Sequence, residues 1–198
     1  MSTAPAIPAA YEGEWHPPYR GRIAMFALIT GESALFTIFV VAYLFYIGKS
    51  LSGPTPQQVL EVPIFGTICL LSSSLTIWRA EQAIARNRLN AFMFWLGFTI
   101  CLGLIFLVGT TIEWHKLIYR DGLTISTNLF GTTYYSLVGL HATHVIVGLA
   151  MLTILFLFTL ARRVGEQHAE RIGVLALYWH FVDAVWVVVF TVVYILGR

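Results

Sequence analysis

The chain has 198 residues, of which 58% are hydrophobic and only 11% charged, with a formal net charge of +2. Soluble domains carry about 25% charged residues, and a water-soluble fold of this size has no interior large enough to hide so much apolar surface. So small a net charge gives no footing for nucleic acid, and the charges cluster between long apolar runs, as they do between membrane spans.

A helix crosses the hydrocarbon core with roughly 20 apolar residues, because each adds only about 1.5 Å. Five runs meet that length. The expected fold is therefore all-α, an integral membrane bundle of five transmembrane helices within 23–198, preceded by a tail, 1–22. The tail has no apolar core followed by a small-residue cleavage site, so it reads as a cytoplasmic segment and not a signal peptide. The first span covers 23–47 and carries Glu32, roughly 15 Å deep and so close to the midplane. An ionisable group there costs about 2.5–3.5 kcal/mol on insertion scales. Glu32 is thus either a proton-linked carboxyl or a neutral side chain donating one interhelical hydrogen bond. Gly53-Pro54-Thr55-Pro56 breaks the chain after this span.

The second span, 63–80, opens on Pro63, whose missing N–H is harmless in a first turn. Its Ser72, Ser73 and Ser74 permit close approach and hydrogen bonding to a neighbouring helix, and read as packing features. Cys69 and Cys101 fall inside apolar runs without a CxxC spacing and read as packed thiols. The third span, 91–112, ends at Glu113, followed by Trp114, His115 and Lys116, which places that carboxylate at the outer interface, where it costs little. Asp121-Gly122 signals a turn.

The fourth span, 129–161, is long enough to tilt or to extend past the bilayer. Gly131, Gly139 and Gly148 allow backbone contact along it, and His141 and His144, three apart, share a face. Arg162 and Arg163 follow it directly and serve either as topology markers or as ligands for lipid phosphates. The fifth span, 172–196, carries His180, Asp183 and Trp186 along one stripe. Spacing allows two roles for His141, His144, His180 and Asp183: metal ligands, or buried hydrogen-bonding pairs that lock the fourth and fifth spans together. Depth sets Glu113 apart from that group. No internal repeat is visible, which argues against a repeat-built transporter.

Arg20, Arg22, Arg79, Arg86, Arg88, Arg162, Arg163 and Arg171 fall on one side of such a bundle, and Lys49, Lys116, Arg120 and Arg198 on the other. The larger set marks the cytoplasm, giving a cytoplasmic N-terminus and a periplasmic C-terminus. Trp78, Trp114, Tyr119 and Tyr194 lie near span ends, where each serves equally as an interfacial aromatic or as a packing residue.

Several stretches together resemble subunit III of the haem–copper respiratory oxidases. Tyr178-Trp179-His180-Phe181-Val182-Asp183-Ala184-Val185-Trp186 is similar to the family's YWHFVDxVW signature. Gly139-Leu140-His141-Ala142-Thr143-His144-Val145-Ile146-Val147-Gly148 resembles GxHxxHVxxG, and Leu60-Glu61-Val62-Pro63 resembles the motif that opens a helix in the family. Glu32 resembles the buried glutamate, although Gly31 stands where the family usually has a small hydroxyl residue, and Glu113-Trp114 resembles a helix-ending E-Y/W pair. The resemblance runs from about Arg22 to Arg198 and matches the last five helices of a family that also has a seven-helix form. In that longer form the first two helices wall a lipid-holding cleft, so here the wall is expected to be absent, supplied by another chain or filled by lipid.

The resemblance implies a non-catalytic accessory subunit of a proton-pumping cytochrome c oxidase in a bacterial inner membrane. Such a subunit packs directly on subunit I, shares the complex with subunit II and sometimes subunit IV or a respiratory supercomplex, and binds phospholipid. Haem and copper are expected in the partner subunits and no metal in this chain. Glu32 would be the family's carbodiimide-reactive carboxyl, and the two histidine-bearing motifs would be structural. The residues agree: of six histidines, His16, His115 and His168 fall in tail or loops, too few remaining within the spans for haem and copper ligation. No cysteine pair suits a two-copper site. The alternatives are the matching subunit of a quinol oxidase or of a nitric-oxide-reductase cluster, and, from different classes, a membrane metalloenzyme or a proton-coupled transporter built on Glu32.

Overall fold

The computed structural model describes residues 20–50 and 53–197, apart from the Glu166 side chain. The rest of the expected tail, with His16, and Arg198 lie outside the described residues. Those described form helices joined by turns, without a strand. They are α1 (Arg20–Tyr46), the one-turn α2 (Pro56–Val59), α3 (Ile64–Ala85), α4 (Leu89–Tyr119), α5 (Leu129–Leu160) and α6 (Ala169–Phe190). A 3₁₀ turn, Glu166–His168, leads into α6, which continues as a π turn over Thr191–Leu196.

By length and composition, α1, α4, α5 and α6 with its π turn are apolar enough to cross a membrane. The expected second span forms α3, whose 22 residues reach about 33 Å. Thr67, Ser72, Ser73, Ser74 and Thr76 dilute its apolar character. Two helices outrun the expected spans. α3 continues through Arg79 and Glu81 to Ala85, and α4 through Glu113 and Lys116 to Tyr119. His115 therefore sits in the last turns of a helix and not in a loop. At headgroup depth a side chain can reach water while the backbone still needs its internal hydrogen bonds, so polarity alone does not end a helix there.

The ends have local causes. α3 closes with Asn87 in the left-handed region (φ 54°), its N–H bonding Ile84 O at 3.0 Å while Arg88 N bonds Ala83 O at 2.9 Å. α5 closes the same way: Arg162 takes φ 57°, with Arg162 N on Thr159 O at 2.9 Å and Arg163 N on Phe158 O at 3.0 Å. Both are Schellman caps, in which a left-handed residue lets two orphan carbonyls be satisfied. At the start of α5, the Asn128 side chain accepts from Gly131 N at 2.8 Å and donates through Nδ2 to Pro54 O at 3.1 Å, tying two connections together. Pro56 begins the short α2 instead of only breaking the chain, with Gln58 Oε1 accepting from Thr55 N at 3.2 Å.

α3, α4, α5 and α6 close a ring in that order, α6 returning against α3, and α1 lies outside it against α5 and α6. Only Phe36 and Tyr43 of α1 are buried, and Phe26, Ile38, Val41 and Phe45 are exposed. Trp179 of α6 fills the ring's centre with no exposed surface. A Cβ on Gly148 of α5 would lie 2.8 Å from Trp179 Cε3, and one on Gly103 of α4 would lie 3.0 Å from Cη2. The indole is thus clasped between two bare stretches of helix backbone, while its Nε1 donates to Ser73 Oγ of α3 at 2.8 Å. One aromatic side chain contacts three neighbouring helices. The other two glycines of α5 differ: a Cβ on Gly131 would collide with the Thr124 backbone, and one on Gly139 would lie at an ordinary 3.5 Å from Trp114 Cη2.

Candidate functional site

Polar side chains gather in three places, each between different helices. The first joins α1 to α5. His144 Nε2 lies 3.2 Å from Glu32 Oε2, and His144 Nδ1 lies 2.8 Å from Leu140 O. A carbonyl only accepts, so Nδ1 carries a proton. One further proton must then lie between Nε2 and Oε2, on either the imidazole or the carboxyl. The pair is neutral overall in both cases, so the contact between α1 and α5 carries no net charge. Phe36 packs on the imidazole at 5.0 Å between ring centroids, and Tyr178 donates its hydroxyl to His144 O at 3.3 Å. The side chains remain 13% exposed for His144 and 30% for Glu32, so the carboxyl borders the outer surface of the bundle.

The second cluster joins α3 to α6. Ser74 Oγ donates to Asp183 Oδ2 and is 3.0 Å from His180 Nδ1. Because the serine proton is committed to the carboxylate, the contact to His180 requires Nδ1–H as donor. Ser73 Oγ accepts from Trp179 Nε1, bonds Leu70 O at 2.5 Å and lies 3.5 Å from Asp183 Oδ2. Asp183 Oδ1 is buried without a hydrogen-bond partner among the described residues.

The third cluster lies near the end of the bundle that carries α2. Tyr194 and Tyr134 donate to the same oxygen, Glu113 Oε1, at 2.9 and 3.3 Å. Tyr194 sits in the π turn and is buried, so of the two roles its position allows it takes the internal one, as a ligand of Glu113. π turns occur mostly as local bulges, often at functional positions; nothing in Thr191–Leu196 announces one in sequence.

The four residues of the two histidine motifs do not form one network. Asp183 reaches His180 through Ser74, and both bond α3 instead of α5. His144 bonds α1. His141 is fully buried, and neither ring nitrogen has a hydrogen-bond partner among the described residues. It stacks on Trp186 at 5.0 Å and meets the edge of Phe106 at 5.9 Å, an aromatic seat. The expected hydrogen-bonded lock by these four side chains is thereby corrected: His144 bonds α1 and His180 and Asp183 bond α3, while α5 and α6 meet through Tyr178 on His144 O and Trp186 on His141. Glu113 has its own partners, Tyr134 and Tyr194. Arg162 and Arg163 are exposed beyond α5. Among the described residues no group of three or more His, Cys, Asp or Glu side chains could hold a metal ion. The signals that sequence reasoning missed were Ser73 and Ser74 as ligands of the Asp183 motif, and Tyr134 and Tyr194 as ligands of Glu113.

The fold and these clusters define a multi-pass membrane protein whose helices are joined by polar side chains as well as by packing. The family Cytochrome c oxidase subunit III matches it over residues 20–198. The chain is 38% identical over 169 residues to "Cytochrome c oxidase subunit 3" of Alkalihalophilus pseudofirmus, covering 84% of this chain and 82% of that one. It is 33% identical over 198 residues to the protein of the same name from Bacillus sp. strain PS3, covering 98% and 95%. A third relative, "Probable quinol oxidase subunit 3" of Staphylococcus haemolyticus, is 29% identical over 185 residues, covering 92% of each chain. The chain belongs to the cytochrome c oxidase subunit III family.

Proposed function

We propose that the chain is the accessory, non-catalytic subunit III of a proton-pumping haem–copper terminal oxidase in a bacterial inner membrane. In this reading α3 crosses the bilayer with the four more apolar helices, the N-terminus is cytoplasmic and the C-terminus periplasmic. The chain packs on subunit I, with subunits II and IV completing the complex. Haem and copper reside in those partners, and this chain holds neither. Phospholipids cover its outer faces, with Arg162 and Arg163 at their headgroups. The observation that carries the reading is the Glu32–His144 contact at 3.2 Å on the sparsely buried α1 face. A carboxyl that holds an exchangeable proton there suits a subunit that sustains proton uptake by its neighbour.

Glu32→Gln separates the chemistry from the packing. The amide donates to His144 Nε2 and keeps the contact, but it no longer exchanges a proton. The expected result is a normal yield of complex with slower turnover or faster inactivation during turnover. Unchanged rate and lifetime across pH would remove the proton role. Purification in mild detergent tests the assignment itself: haem absorption must accompany the tagged chain, and its absence overturns the reading. The relative named as a quinol oxidase subunit supports the second reading, a quinol-fed complex. A copper-bearing subunit in the same preparation favours cytochrome c as donor, and bound quinol favours the alternative.

A further inference from the structure

A run of tryptophan and tyrosine rings, the side chains that most readily give up one electron, passes from the interior of the bundle to its surface. Trp186 of α6 is buried, and its ring centroid lies 6.4 Å from that of Tyr194 in the π turn. The hydroxyls of Tyr194 and Tyr134 stand 3.3 Å apart, which carries the run to α5. By ring centroids Tyr134 lies 5.2 Å from Tyr135, and Tyr135 lies 5.4 Å from Trp114 of α4. Tyr135 and Trp114 are half-buried, so the run ends within reach of the surroundings.

The geometry points to Tyr194 and Tyr134 as a redox-active pair, oxidised one electron at a time with Glu113 as the base. A buried phenol cannot give up an electron and keep its proton, because the cation left behind has no water to solvate it. It needs a base within hydrogen-bond reach, about 2.6–3.2 Å. Glu113 Oε1 accepts from Tyr194 at 2.9 Å and from Tyr134 at 3.3 Å. Two donors converging on one oxygen is the pattern an anionic oxygen attracts. Lys116 and Glu61 are the charged groups that act on Glu113. They pair with each other at 3.4 Å and leave its carboxylate to the phenols.

The step balances in atoms and charge. One electron leaves Tyr194 for an oxidant derived from partly reduced oxygen, which is reduced by one electron. The phenolic O–H bond breaks and an O–H bond forms on Glu113 Oε1. A neutral phenoxyl radical then faces a neutral carboxylic acid. One electron from a thiol or a hydroquinone, itself oxidised by one, restores the phenolate, and Glu113 returns the proton. Trp186 receives the oxidising equivalent in the interior, and Tyr135 and Trp114 pass it outward. Only the source of the oxidant rests on the oxidase reading, in which the neighbouring subunit reduces oxygen.

The test uses the assembled complex with 3-fluorotyrosine in place of Tyr194. Photolysis of ruthenium tris(bipyridine) with persulfate supplies a one-electron oxidant, and radicals are freeze-trapped for electron paramagnetic resonance. The expected signal carries fluorine hyperfine splitting, which marks position 194. Glu113→Gln keeps an oxygen acceptor but removes the base, so formation of that radical should slow at least about 100-fold. A radical signal without fluorine splitting, or no radical, overturns the proposal, as does an unchanged rate in Glu113→Gln. Should the Glu113→Gln complex not assemble, deuterium oxide decides on the fluorinated complex alone. Slower formation there supports transfer of the proton with the electron, and an equal rate refutes it. Because light supplies the oxidant, failure here leaves the oxidase reading standing.

Discussion

Gly148→Ala adds a single methyl group at the tightest point of the bundle. The new Cβ would lie 2.8 and 2.9 Å from Trp179 Cε3 and Cζ3, and 3.3 Å from Tyr178 Cε1. Carbon atoms pack at about 3.5–4.0 Å, so the indole must retreat by roughly 0.7–1 Å. A retreat toward Gly103 is limited to the space its missing side chain leaves, since a Cβ there would stand 3.0 Å from Trp179 Cη2. Overpacking of this kind costs about 1–3 kcal/mol. Displacing Nε1 from Ser73 Oγ, now 2.8 Å away, removes a hydrogen bond of about 0.5–1.5 kcal/mol. The helix propensity of alanine over glycine returns about 1 kcal/mol. The net is a loss of about 0.5–3.5 kcal/mol, a roughly 2- to 300-fold fall in the ratio of folded to unfolded chain.

Gly109→Ala provides the control, because the same chemical change on α4 meets nothing within 4 Å. The assay is thermal unfolding of the detergent-solubilised complex, paired with its yield from membranes. Gly148→Ala should unfold at clearly lower temperature than Gly109→Ala. Shrinking the ring in a Gly148→Ala, Trp179→Phe double variant should recover part of the overpacking loss, giving a favourable coupling in a double-mutant cycle. If the two single variants unfold together, or the coupling is nil, the clasp around Trp179 is not what the distances indicate.

Other perturbations follow from the polar clusters. Asp183→Ala leaves Ser74 without its acceptor and should lower complex yield, whereas Asp183→Asn keeps the acceptor oxygen and should lower it far less; equal yields would count against a structural role. Arg162→Gly places glycine at a left-handed position (φ 57°) and should stabilise the chain by up to about 1 kcal/mol, read as a raised unfolding temperature; a marked drop would show that the guanidinium, and not the cap, matters there. Glu32→Leu should weaken retention of α1 against α5 and α6 in a way that Glu32→Gln does not, measured by protease susceptibility of the 47–63 connection.

The long apolar runs made the helices legible, and depth along the first span singled out Glu32. Partner choice was not legible, for a geometric reason. Residues three apart on a helix are offset by about 60°, since each step turns about 100°. That is close enough to call one face but wide enough to point into different grooves. His141 accordingly enters the aromatic core between Phe106 and Trp186, while His144 reaches α1. The role of Tyr194 was not legible because the π turn changes how far each residue rotates the chain, bringing its hydroxyl to Glu113. The serines of α3 looked like packing residues. Only the return of α6 against α3 shows that two of them are ligands.

The polar contacts also settle a question that apolar packing leaves open. Lipid tails are as apolar as leucine, so hydrophobic burial does little to choose how a membrane helix is rotated about its axis. In α6 that rotation is fixed by Trp179, His180 and Asp183 facing the α3 serines, and at its end by Tyr194 on Glu113. In α3 and α4 it is fixed by Thr76 and Thr99, whose hydroxyls meet at 2.7 Å. α1 buries least, only Phe36 and Tyr43, and a side-chain hydrogen bond between Glu32 and His144 ties it to α5. Under the proposed function Glu32 has two separable duties, orienting α1 through its contact to His144 and holding a proton. A variant that preserves the first while removing the second is the informative one, which is why glutamine and not alanine or leucine tests the chemistry.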